Sequence, residues 1–506
     1  MKIFDMVLKK KLQREHLYNL VIEWEKRNDK NITEEDYVIF LEKVENEINK
    51  YSYEINENFF TLGRRDFLKK ENSENLMKRD RDRFWRYSDV LINIEECIRG
   101  NLVVPANPEL GNWRELGRRE MEYYNSGIIC EQEKEMLLDM IKEFKNQLKD
   151  IIRKRDKIRG SLVAGAIGDA LGYPIEFDKG IKEKQVAEYI NGKGIISDDT
   201  QMTLFTANAL LWGKTRMITK GIAPSYNKAI YLSYLDWLET QIQKENMSTI
   251  SWIKNIQELR IDRCPGNTCL ASLKSGKMGT IKEPINDSKG CGTVMRIAPI
   301  GLFIEDTVEA GILAAESSAI THGNELAMIP SCFAAMLINI LLNQNLNLED
   351  AVKETIELYQ NKINIFSKEN NECFMNLVLK AIDLSKEDLG DVVAIKQLGE
   401  GWVAEEAFAI ALYSCLKYQN SIKDALVCAI NHDGDSDSTG AIAGNIIGAA
   451  LGYSNIDEKY LENLQLKDLI LEIADDLFIM SEDPQEKIYD NVWEKKYIYC
   501  KFVDIT

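Results

Sequence analysis

The sequence predicts an all-α protein: a compact helical domain over residues 158–480, preceded by a separate, mainly helical domain over 1–157 and followed by a tail, 481–506, that packs on the domain. Three observations predict it. Apolar residues recur at helical spacing along most of the chain, convincing period-two alternation is absent, and the composition changes abruptly at Arg159 from charged and glycine-poor to rich in small residues. At 506 residues the chain is too long for one typical core, so two or three domains are expected.

Residues 1–157 read as charged helices. From Glu131 to Lys157, for example, Met136, Leu137, Met140, Ile141, Phe144, Leu148, Ile151 and Ile152 fall on one helical face. Pro105 and Pro108 mark a loop. The alternating charges from Lys78 to Arg86 read as a solvated helix face and receive no function. Beyond Arg159 the stretch from Gly160 to Gly172 is made of small residues, and a matching stretch comes late, with Gly440, Gly444, Gly448 and Gly452 spaced four apart. That spacing puts glycines on one helical face at about 1 kcal/mol each relative to alanine, so it predicts two helices in backbone contact inside a bundle. Between these ends, residues 203–211, 307–319, 329–342 and 405–416 are helical in period.

The charge is uneven. Residues 1–157 hold 31 Lys+Arg against 32 Asp+Glu; the remainder holds 32 against 49, a net of −17. An acidic C-terminal region argues against nucleic acid as a partner, and an anionic ligand there would need cations to mediate its contact. No apolar stretch reads as long enough to cross a bilayer, the nearest being Gly440 to Tyr453, and no membrane partner is expected. The N-terminus lacks the apolar core of a signal peptide. Ten scattered cysteines without Cys-x-x-Cys pairs suggest thiols in a reducing cytoplasm, so the expected location is cytoplasmic. Three histidines leave little for a zinc site.

Two clusters carry the chemistry: Ser197-Asp198-Asp199-Thr200, directly before the helical run at 201–211, and Asp433-Gly434-Asp435-Ser436-Asp437-Ser438-Thr439, directly before the glycine-striped helix. Both offer only carboxylate and hydroxyl oxygens, which suit Mg²⁺, Mn²⁺ or Ca²⁺ rather than zinc. Each alone reads better as a helix N-cap favoured by the dipole; two in a region short of basic residues favour a metal site. An EF-hand loop at Asp433 is rejected, because its sixth position is Ser438 and its twelfth Gly444. Residues 288–292 are glycine-rich, as an anion-binding nest requires. Arg296 reads as a phosphate contact or a structural ion pair, Asn431 and His432 as cleft-lining or buried groups, and Trp402 and Phe408 as core.

In this order the motifs resemble those of the ADP-ribosylglycohydrolases: the small-residue stretch with Pro174-Ile175-Glu176, then Ser197-Asp198-Asp199-Thr200, Pro265-Gly266-Asn267-Thr268, Ser288-Lys289-Gly290-Cys291-Gly292, the segment from Met295 to Gly301, Thr321-His322, Glu405-Glu406-Ala407, and Gly434 to Ser438. The likeness runs over residues 158–480 and leaves out 1–157. It implies a two-metal centre, two Mg²⁺ with Mn²⁺ as a substitute, held by Ser197, Asp198, Asp199, Asp435, Asp437 and Ser438. It implies that Glu176 sits beside the metals, that Ser288, Lys289, Gly290, Cys291 and Gly292 wrap the diphosphate with backbone N–H groups, and that His322 lines the cleft. Some relatives carry an aromatic residue in place of Lys289 and asparagine in place of Cys291.

The activity so implied is metal-dependent removal of ADP-ribose from a modified acceptor, an ADP-ribosylated protein or an ADP-ribose derivative, with arginine first among the acceptors. Cleavage at the anomeric carbon of the distal ribose would pass through oxocarbenium character, with Glu176, Asp198 and Asp435 as the catalytic carboxylates. Two alternatives stand beside it. One is a non-catalytic ADP-ribose-binding relative; the other is an immunity or regulatory factor that binds a protein partner through 1–157.

Overall fold

The structure, a computed structural model, describes residues 131–177, 186–221, 225–242, 249–482, 488 and 490–501. The expected helical domain and partner-binding role of 1–157 lie, up to residue 130, outside the described residues, as do the prolines at 105 and 108 and the charged run at 78–86. The chain divides into two compact units, Met1–Arg153 and Lys154–Thr506, and both acidic clusters lie in the second.

The helices are α1 (Glu131–Gly172), α2 (Asp198–Lys220), α3 (Tyr226–Ile242), α4 (Asn267–Lys274), α5 (Ala298–Phe303), α6 (Thr307–Ala319), α7 (Glu325–Asn343), α8 (Leu348–Lys362), α9 (Lys368–Leu384), α10 (Asp391–Leu398), α11 (Ala404–Lys417), α12 (Ile422–Ile430), α13 (Ser436–Leu451), α14 (Glu458–Leu461), α15 (Lys467–Ser481) and α16 (Asn491–Trp493). No strand occurs among the described residues; extended pairing is limited to the isolated bridges Gly194–Leu464 and Gly290–Val403. The all-α expectation holds.

Caps written in the sequence start these helices. Asp306 accepts from the backbone N–H groups of Val308 and Glu309, Asn324 from Leu326, Asn347 from Asp350 and Ser421 from Asp424, each satisfying a donor the helix leaves open. The centre is α7, which packs against α5, α6, α8, α9, α11 and α13. Phe333 of α7, Phe374 of α9 and Phe408 of α11 form a buried triangle with ring centroids 5.5–5.6 Å apart. By length and composition alone α7 could cross a membrane, which corrects the expectation that no stretch reaches that length. Here 89% of its apolar window is buried inside the protein, as the all-round apolar character of a core helix requires.

The glycine stripes pair as expected. Built Cβ atoms would meet Gly448 O from Gly160 at 2.5 Å, Gly440 O from Gly168 at 2.0 Å and Ser436 O from Gly172 at 2.2 Å. Residue numbers fall in α13 as they rise in α1, so the helices run antiparallel with backbones touching. This seam sets the site: it lays the end of α1, and Glu176 just beyond it, beside the first turn of α13. At the seam's other end Arg155 and Arg159 both bind the Asp475 carboxylate of α15. The C-terminal segment is held by Trp493, whose indole donates to Thr215 Oγ1 (3.1 Å), and by Lys496 and Tyr497, which both donate to Asp476.

Candidate metal centre and ligand cleft

Each acidic cluster is a helix start. Ser197 caps α2, its hydroxyl accepting from Asp199 N at 3.1 Å, and Asp435 caps α13, its carboxylate accepting from Ser438 N at 3.2 Å. Capping and the gathering of oxygens are thus one geometry. Ser197, Asp198, Asp199, Asp435, Asp437 and Ser438 are all buried. Glu176, half-buried, offers an oxygen that lies with one each from Asp435 and Asp437 inside 4.8 Å. The two turns meet: the Asp435 charge is felt at Asp198 and Asp199, the Asp199 charge at Asp437, and the Ser438 hydroxyl favours ionised Asp199.

A residue that the sequence did not single out builds the first turn. Asp169 of α1, fully buried, accepts from Ser197 N, Thr200 N and Thr200 Oγ1. Its place within the small-residue stretch was the available signal, since a charge among glycines on a packed face needs partners. The second turn is pinned by Asp435 N donating to Glu400 O at 2.9 Å, where a Cβ on Gly434 would stand 1.6 Å from that same oxygen.

Burial pushes Asp198, Asp199 and Asp437 well above the usual carboxylate range, and neighbouring carboxylates push further; Asp435 is raised by burial, and Glu176 is pushed up to about 8 by burial and then by Asp435, Asp198 and Asp169. No lysine or arginine is among the main influences on Glu176, Asp198, Asp199, Asp435 or Asp437. Asp199 Oδ2 is buried without any hydrogen-bond partner. Carboxylates assembled in this way repel one another unless protonated or bridged by a cation. The donor set is oxygen only, apart from one thiol, Cys291 Sγ, which donates to Asp435 Oδ2 at 2.7 Å. These residues fit a hard divalent metal.

Residues 288–292 lie against the cluster through that thiol. A short antiparallel pairing holds them: Ala404 N donates to Lys289 O (2.9 Å) and Cys291 N to Trp402 O (3.2 Å), while Ser288 N donates to Asn286 Oδ1 (3.0 Å). The Cys291 and Ser288 N–H groups are therefore occupied, which narrows the expected nest to the N–H groups of Lys289, Gly290 and Gly292. The Lys289 ammonium pairs with Glu405. The edge of His322 lies on the same loop: a Cβ on Gly290 would stand 3.2 Å from its Nε2, and one on Gly292 3.6 Å from its Cε1.

Several expectations change. Arg296 is neither a phosphate contact nor half of an ion pair: it is wholly buried over the Tyr234 ring, 4.4 Å from the centroid. Asn431 is tied to Val186 and Val427, and His432 to Thr439 and Gly434, so their polar atoms already have partners within the protein. Phe408 is core, but Trp402 is 38% exposed and stacks on Phe177 at 6.0 Å, placing two aromatic rings next to Glu176 and the loop. Sequence spacing could not show this, because the two rings lie far apart along the chain.

The family model described as ADP-ribosylglycohydrolase matches residues 150–487. The ADP-ribosylarginine hydrolase Tri1 of Serratia proteamaculans is 25% identical over 342 residues, 65% of this chain and 80% of the relative. An uncharacterized protein of Archaeoglobus fulgidus is 26% identical over 327 residues, 64% of this chain and 96% of its own. Human ADP-ribosylhydrolase ARH3 is 23% identical over 206 residues, 35% of this chain and 54% of its own.

Proposed function

This chain belongs to the ADP-ribosylglycohydrolase family, and we propose that it is a divalent-metal-dependent hydrolase that frees a protein side chain, arginine first, from ADP-ribose. It is a glycohydrolase, and the substrates of its family are ADP-ribosylated. The acceptor is inferred from the relatives named ADP-ribosylarginine hydrolase. One observation supports metal dependence above the rest: Asp435 and Asp437 of one helix start converge with Glu176, the Asp435 charge is felt at Asp198 and Asp199 of the other, and Asp199 Oδ2 is left without a partner.

Ser197, Asp198, Asp199, Asp435, Asp437 and Ser438 would hold two Mg²⁺, with Mn²⁺ as a substitute. When bound, the ions would supply charge neutralisation and a fixed anchor for the distal ribose hydroxyls. The N–H groups of Lys289, Gly290 and Gly292 would bind the diphosphate, and the rings of Phe177 and Trp402 would shield the reacting bond from bulk water. In the hydrolysis, a water oxygen bonds to the anomeric carbon as the bond from that carbon to the acceptor breaks; the water's proton passes to a carboxylate, which hands it on to the leaving acceptor. Glu176 would be the carboxylate for this step, ionised once bound cations offset the burial and the neighbouring carboxylates that otherwise hold its pKa at about 8. It alone of the set is half-buried rather than sealed in, so it can face both water and ribose.

The test is Asp435→Ala assayed on an ADP-ribosyl-arginine protein with Mg²⁺ and after chelation. Turnover should fall by more than about 100-fold, the upper range for loss of a group one shell further from a metal. The exposed control Asp350→Asn should keep wild-type turnover. Hydrolysis that survives both Asp435→Ala and chelation would remove the centre from the reaction, and a wild-type preference for ADP-ribosyl-serine would overturn the acceptor.

A further inference from the structure

Arg296 is a buried cation with no carboxylate partner. Its Nη1 reaches Met202 Sδ (3.5 Å) and Cys269 Sγ (3.4 Å), its Nη2 reaches Ser317 O (3.4 Å) and Thr321 Oγ1 (2.8 Å), and its Nε has no partner. The bond to Thr321 is the short one, and its direction is forced, because a guanidinium only donates. Thr321 Oγ1 therefore accepts from Arg296 and has one proton of its own to place. It stands 2.8 Å from His322 Nδ1. Were Nδ1 protonated, the buried hydroxyl would receive two donors while its own proton found no acceptor, a loss that buried polar groups rarely bear. The satisfied arrangement runs from Arg296 to Thr321 Oγ1 to an unprotonated Nδ1, and leaves the ring proton on Nε2. That nitrogen makes no hydrogen bond within the protein and faces Gly290 and Gly292. Burial first, and the Arg296 charge second, hold the ring far below its usual range, down to about 3.

We propose that Arg296 and Thr321 are positioning residues that lock His322 in the neutral Nε2–H form, so that it donates a hydrogen bond to a phosphate oxygen of the ligand in the 288–292 loop and does not act as an acid or base. This rests on the reading that the loop takes the diphosphate of ADP-ribose. The chain has three histidines, so nitrogen-15 spectra of histidine-labelled full-length protein resolve each ring, and His322→Phe assigns the one concerned. The free protein should show His322 Nδ1 in the unprotonated range and Nε2 in the protonated range, unchanged between pH 8 and 5 (on the order of a unit or more either side of the ordinary histidine pKa). Thr321→Val should abolish that fixed pattern, weaken ADP-ribose binding about tenfold and raise KM with kcat kept; Thr321→Ser should restore all three. A wild-type Nδ1–H ring, a ring that titrates near its ordinary pKa, or Thr321→Val indistinguishable from wild type would overturn the proposal. Wild-type protein showing the fixed tautomer but no affinity for ADP-ribose would instead overturn the reading of the loop.

Discussion

Asp169 touches no part of the proposed substrate path, yet its carboxylate fixes the backbone of Ser197 and Thr200 on either side of Asp198 and Asp199. Loss of the carboxylate would strand the Ser197 and Thr200 N–H groups and the Thr200 hydroxyl in a dry interior, at about 1–3 kcal/mol for each donor left unpaired. Asp169→Ala is therefore expected to lower unfolding free energy by about 2–5 kcal/mol and to weaken Mg²⁺ binding, although it contacts no ion. Denaturant unfolding and calorimetric Mg²⁺ titration measure the two effects; unchanged Mg²⁺ affinity would show that the first turn holds its shape without Asp169. The same residue marks a limit of reading from sequence. Asp198 and Asp435 are legible because a cap and a carboxylate pair are local to one turn. The roles of Asp169, Thr321 and Arg296 depend on partners as much as 94 residues away, and nothing in their own neighbourhoods states who those partners are.

Elements bring the two acidic turns together. The stripe of Gly440, Gly444 and Gly448 announced a close helix pair, and the seam with α1 is that pair; its partner face and antiparallel sense follow only from the fold. The seam fixes register, because a helix with Cβ atoms on this face would have to move outward and carry the first turn of α13 away from Glu176. A Cβ on Gly444 would stand 2.0 Å from Ala164 O, a backbone atom that cannot rotate away. In an open helix Gly→Ala would stabilise by about 1 kcal/mol; at Gly444 overpacking reverses the sign, and Gly444→Ala should destabilise by about 1–3 kcal/mol and reduce turnover. Gly390→Ala, where a Cβ meets nothing within 4 Å, should stay within about 0.5 kcal/mol of wild type. Equal thermal shifts in the two variants would mean that the seam is slack. Trp402 escaped its expected place in the core for a reason at this scale too: its backbone pairs with the 288–292 loop, which holds the residue at the surface while α11, just beyond it, is packed inside.

For the whole molecule the net charge of −18 is an energetic condition on the site. Residues 158–506 carry nearly all of it, and the buried carboxylates at the heart of that region are kept close by packing of α1, α2 and α13 against their mutual repulsion. Folding therefore holds together a set of groups that would separate if free, at a cost in stability that a bound cation would offset, a trade-off common to functional centres. Two opposite consequences follow for one variant. Without divalent metal, Asp437→Asn removes a charge that Asp199, Asp435 and Glu176 oppose, so the variant should melt at a higher temperature than wild type. With Mg²⁺ the order should invert, because an ion that binds only the folded state stabilises it by about 2.7 kcal/mol at a free concentration 100 times its Kd, a rise of a few degrees in Tm for a unit of this size. Wild type gains that increment and Asp437→Asn gains little of it. Scanning calorimetry of both proteins after chelation and then with saturating Mg²⁺ gives four melting temperatures whose crossing is the prediction. Parallel shifts in the two proteins would place the ion elsewhere on this acidic surface, and a variant less stable than wild type in both conditions would mean that Asp437 is held by bonds stronger than the repulsion it feels.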